Sequence, residues 1–187
     1  MKNLLIVLIF MGMLSCDKSL TEKETQEYVN KGNEISQATF QALSEKLTEQ
    51  MKLGGPAQAI PFCNVAAIPL TQQLSEEFDV TIKRTSDKLR NQDNKPSARE
   101  LEIINLYHKL ISEEREITPI VEVDNNNNKH YYAPIMLKVN CLACHGTVEE
   151  FVSLKTDSII KSLYPNDKAI GYSEGDLRGI WSIEFEE

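Results

Sequence analysis

Ile120-Val121-Glu122-Val123-Asp124-Asn125-Asn126-Asn127-Asn128-Lys129-His130-Tyr131-Tyr132-Ala133-Pro134-Ile135-Met136-Leu137-Lys138 holds two β-prone runs on either side of an asparagine tract. Short polar residues that tolerate left-handed backbone mark turns, so Ile120–Val123 and His130–Lys138 read as a hairpin closed by Asn125–Asn128. Upstream of it the pattern is mostly helical. From about Glu24 to Leu53, Phe40, Leu43, Leu47 and Met51 recur at spacings of three and four, and Gly54-Gly55 ends the run. Pro56, Pro61 and Pro69 are expected to cut the next stretch into short helical pieces as far as Phe78. Val80–Arg84 alternates as a strand, and a polar loop spans Ser86–Pro96. Ser97-Ala98-Arg99-Glu100 has capping-box spacing and opens a helix with Leu101, Ile103, Ile104, Tyr107, Leu110 and Ile111 on its apolar side. Gly179–Phe185 is a last strand. Helices first and strands later, with a hairpin, point to an α+β domain with an antiparallel sheet.

Composition bounds the function. The 187 residues are 41% apolar, enough for one domain with an ordinary core. Twenty basic against 28 acidic residues give a net charge of −8, which repels phosphate backbones and argues against nucleic acid as a partner. The 4 cysteines are too few and too unevenly spaced for a disulfide scaffold.

Cys16 follows Met1-Lys2-Asn3, an apolar run from Leu4 to Met13, and Leu14-Ser15. A positive start and an apolar stretch of about ten residues fit an export signal, whereas a membrane span needs about 20. Leu14-Ser15-Cys16 resembles a bacterial lipobox, which implies a signal peptide over 1–15, acylation of Cys16 and anchoring of the mature chain to a membrane. Cleavage there removes Lys2 and makes the net charge of −8 one unit more negative. Residues 16–25 then form a polar tether, and 26–187 the domain.

Cys141-Leu142-Ala143-Cys144-His145 carries the chemistry. In an exported protein, C-x-x-C-H signals covalent attachment of a c-type haem. On one helical turn, Cys141 and Cys144 can each form a thioether with a vinyl group while His145 reaches the iron from the same side. The competing readings are half a zinc site, which lacks two ligands, and a thioredoxin-like dithiol, which wants a βαβ setting. Candidates for the opposite iron ligand are Cys63, Met51, Met136, His108 and His130, and the residues alone do not choose among them.

Several segments together resemble a family of bacterial c-type haem domains with a PAS-like fold. They are Ala59-Ile60 through Cys63 to Pro69; Arg84-Thr85-Ser86 followed by Arg90-Asn91-Gln92-Asp93-Asn94-Lys95-Pro96 and Glu100; Tyr131–Ile135 leading into Cys141–Gly146; and Pro165–Tyr172 followed by Gly175–Ser182. The resemblance implies one covalent haem ligated by His145 and Cys63. Arg84 and Arg90 are candidates for pairing with its propionates, since a guanidinium matches carboxylate geometry. A thiolate ligand implies a low reduction potential. Two functions are then expected: electron transfer with a redox protein partner, or redox or gas sensing through a separate signalling partner. Peroxidase-like catalysis needs an open iron position, which two axial ligands oppose.

Overall fold

The computed structural model describes residues 19–186; the 1–15 signal and Cys16 lie outside them. Helix α1 spans Glu22–Gly54 and α2 spans Pro56–Phe78; strand β1 is Thr81–Thr85, α3 is Ala98–Ser112, β2 is Ile120–Val123 and β3 is Lys129–Met136. The single turn α4 covers Leu142–His145, α5 covers Leu154–Leu163 and β4 covers Leu177–Phe185. The sheet runs β1-β4-β3-β2, antiparallel throughout, so the fold is α+β.

Local chemistry sets most boundaries. Thr21 and Glu24 form a reciprocal capping box at the start of α1, so residues 22–25, expected in the tether, are the helix's first turn. Gly55, at φ +67°, closes α1 through its N–H to the Met51 carbonyl and hands over directly to α2. The prolines of α2 do not cut it into pieces. Pro56 sits at the first position, and Pro61 and Pro69 lie inside a continuous helix, each removing one hydrogen bond. Packing against α1, α5 and β1 holds α2 together across those gaps. The Ser97–Glu100 box opens α3 as expected. In the hairpin, Asp124 Oδ1 accepts from the Asn126 and Asn128 amides, and Asn127 takes the left-handed position at φ +77°.

The sheet is covered on both faces. Because side chains alternate along a strand, Tyr131, Ala133, Trp181, Ile183 and Phe185 face the α1–α2 layer with Ile35 and Leu74. Tyr132, Leu177 and Ile180 pack on the other face against Ile103, Ile104 and Tyr107 of α3. The buried face of α1 is lined by Gly32, Ile35, Ser36 and Thr39, while Phe40 and Leu47 of the expected stripe are exposed. Small residues let the helix lie close to the sheet: a Cβ at Gly32 would run into the Tyr131 ring. Leu101 of α3 is likewise exposed, one position off the buried face. A third cluster joins α2 to α5 through Ile60, Val152 and Ile160, with Cys144 against it.

Candidate functional site

Cys141 ends a 3-10 turn at Val139–Cys141, and Cys144 and His145 lie on α4, so the motif occupies a continuous tight turn beyond the end of β3. Leu137, Ala169 and Tyr172 form the small apolar floor beside Cys141. The His145 and Gly146 carbonyls accept from the Tyr172 and Gly171 amides at 3.0 Å each, pinning the turn to residues 169–172. His145 Nδ1 lies 2.7 Å from the Ala169 carbonyl oxygen. A carbonyl can only accept, so Nδ1 carries the proton and Nε2 is the nitrogen with a free lone pair. Burial, reinforced by the charges of Arg90 and Arg178, holds the imidazole well below its ordinary pKa, so the ring is neutral at pH 7.

Arg90 is the clamp of this region. Its Nη2 donates to the Cys144 carbonyl at 2.7 Å and the Ala169 carbonyl at 3.1 Å, and the guanidinium pairs with both oxygens of Asp167 at 3.2–3.3 Å. Thus the polar loop after β1 holds the segment before β4 and the motif turn in one register. Arg90, expected against propionates, is committed to protein partners.

Cys63 comes from α2, one helical turn after Ile60, which sits in the cluster holding Cys144. Cys63, Cys141 and Cys144 are free thiols, partly exposed. Burial raises the Cys63 pKa, opposed by the charges of Arg84 and Arg90; burial raises that of Cys144 too, opposed by Arg90 and reinforced by Cys63 and Cys141. Arg84, on β1, stacks over Trp181 with its guanidinium carbon 5.8 Å from the ring centroid.

The other candidate ligands lie elsewhere. His130 is at the far end of β3, roughly 20 Å away along the strand, beside Asp124 at 3.4 Å and grouped with Glu184. His108 makes a surface contact with Asp87 at 3.2 Å. Met136 packs in the α3-side core, and Met51 ends α1 next to the interhelical turn.

The pattern of the Tll0287-like family matches residues 20–185. The chain belongs to the Tll0287-like family. Among solved structures, that of the cyanobacterial haem protein Tll0287 superposes with a TM-score of 0.58 at 19% identity, covering 90% of this chain and 98% of that one. A comparison with curated protein sequences found no match. Among the described residues, no helix of this Tll0287-like chain is long and apolar enough to cross a membrane. Two residues at its site escaped the sequence reading. Arg178 and Tyr172 lie in the C-terminal segments that carried the resemblance, but nothing in their local pattern sets them apart. Tyr172 packs edge-on to His145, ring centroids 6.3 Å apart, and the Arg178 guanidinium carbon lies 5.8 Å from the Tyr172 centroid.

Proposed function

We propose that the protein is a c-type haem protein that transfers electrons at low potential, exported and held at a membrane by a lipid on Cys16. Cys141 and Cys144 would hold one haem through thioethers formed by adding their thiols to its vinyl groups, and His145 and Cys63 would be its iron ligands. The observation that carries this reading is the state of His145. Its proton is fixed on Nδ1 by the Ala169 carbonyl, its Nε2 lone pair is free, and two free thiols share its turn. This is the preparation an iron-ligating imidazole needs. The haem protein named among the similar structures supports the same cofactor.

When bound, the haem supplies a one-electron ferric/ferrous couple. Cys63 donates charge to the metal and lowers the potential, and Arg90 fixes the loop that orients His145. The protein takes one electron from a reduced protein partner and passes it to an oxidised one, with no substrate chemistry of its own.

Full-length protein expressed with a c-type maturation system is expected to give a c-type pyridine haemochrome; absence of that band overturns the reading. Cys63→Ser is expected to shift the Soret band and raise the potential, and an unchanged spectrum removes Cys63 from the iron. Ready uptake of CO by the reduced protein would favour sensing through a separate partner over electron transfer. Metabolic labelling with palmitate that is lost in Cys16→Ala supports the anchor.

A further inference from the structure

Charge around the His145 turn does not balance. Arg90 has its carboxylate, Asp167. Arg84 and Arg178 have none within ion-pairing distance among the described residues. Arg84 rests on Trp181, and Arg178 donates to the Lys88 carbonyl at 3.1 Å and leans on Tyr172. Lys88 brings a further cation, its Nζ 4.8 Å from the Tyr172 centroid. Burial holds both guanidinia below their ordinary pKa, with Arg178 adding to this at Arg84 and Arg90 at Arg178, while Cys63 opposes it at Arg84 and Tyr172 and Asp167 oppose it at Arg178. Two half-buried cations that repel one another are costly to keep in an acidic protein that has carboxylates to spare.

A second mismatch lies beside Arg178. The Tyr172 hydroxyl is buried, its residue 4% exposed, and has no well-formed hydrogen bond; Ser86 and Arg178 approach it without satisfying it. Buried hydroxyls normally find a partner. Arg178 and Tyr172 beside the His145 ring, and Arg84 close enough to Cys63 and Arg178 for its charge to be felt by both, are complementary to a pair of carboxylates, which can accept from all three.

We infer that Arg84, Arg178 and the Tyr172 hydroxyl form the seat for the two carboxylates of the haem, and that Arg90 is a positioning residue that does not touch them. This rests on the haem reading above and reassigns one of its two expected arginine contacts. In this arrangement the propionates enter as the missing counter-ions, so the seat is neutralised only when the cofactor is in place. Carboxylates bound to a guanidinium stay ionised, and a bidentate fork would add directional contacts that a lone point charge lacks.

The test uses the mature, haem-loaded protein and reads the propionate bending bands in its resonance Raman spectrum alongside the Soret band. Absence of a haemochrome band in the wild type would fail the haem reading before any variant is compared. With haem present, Arg178→Gln and Tyr172→Phe are expected to shift the propionate bands while leaving the Soret position unchanged. Arg178→Gln should also lower the midpoint potential. Arg178→Lys, which keeps the charge, should restore the potential but not the bands, because it lacks the fork. Propionate bands identical to wild type in both Arg178→Gln and Tyr172→Phe would overturn the assignment. Should Arg178→Gln yield no haem-loaded protein, Tyr172→Phe decides alone, since it removes one oxygen and keeps the ring against His145.

Discussion

Two regions of the molecule differ in how their charges are settled. Around the hairpin and along α3, cations meet anions within the chain: Lys83 with Glu100 at 2.7 Å and Arg99 with Glu122 at 2.6 Å, while the His130 ring lies 3.4 Å from Asp124. Around the His145 turn and the neighbouring Arg84 of β1, Arg90 is matched by Asp167, while among the described residues no carboxylate pairs with Arg84 or Arg178, and the Tyr172 hydroxyl is left over. The first region is complete as protein. The second has donors in excess and acceptors in deficit, which is how a binding site differs from a scaffold built from the same residue types.

The sharpest way to break this contrast is to remove the covalent attachment. The double variant Cys141→Ala/Cys144→Ala is expected to lose all haem that survives acid–ketone extraction, read by haemochrome, whereas retention would put the covalent attachment at other residues. Next in size is Asp167→Ala, which would leave Arg90 buried and unmatched like its neighbours. Removing one partner of a buried pair costs about 3 kcal/mol or more, here measured by urea unfolding, and a loss below about 1 kcal/mol would mean the clamp is not holding the site.

On the balanced side, Glu100→Gln is expected to cost about 1–3 kcal/mol at neutral pH, since it removes the Lys83 ion pair while its amide oxygen can still accept from the Ser97 N–H. Burial alone would raise the Glu100 pKa, but the bond to Lys83 and the Ser97 amide outweigh it and hold it below its ordinary 4.5. A carboxylate with a lowered folded-state pKa stabilises above its unfolded value and loses that contribution as the pH falls through the folded one. The difference between wild type and Glu100→Gln should therefore be full above about pH 4.5 and shrink below it; a gap that persists in acid would separate the ion pair from the effect. The smallest change is at Arg99→Ala. That side chain is 53% exposed, and such pairs are worth under about 1 kcal/mol.

How much the sequence made legible depends on the range of the interactions. The Ser97–Glu100 box, the hairpin turn and the Cys141–His145 turn are settled by residues within five positions of each other, and each is found where the pattern puts it. α2 misled because prolines carry a local penalty while the compensating contacts come from α1, α5 and β1. α5 went unread although Ser153 caps it and Ile160 anchors it, because ten residues give too few turns for a clear period. The Arg90–Asp167 pair joins positions 77 apart, and the lack of a carboxylate at Arg178 is a property of three-dimensional neighbours. No spacing rule reports either.

The strand order carries a consequence for how the domain assembles. β1 and β3 do not pair with each other; β4 lies between them and joins both, yet it is the last strand along the described chain. Until residues 177–185 are in place, the molecule has a lone strand and a two-stranded hairpin, neither stable by itself in water. Even then, β1 can join the sheet only through contacts across about a hundred residues. Such long-range closure is slow, so the rate at which this protein folds is set by the docking of its final strand and not by the helices that form first.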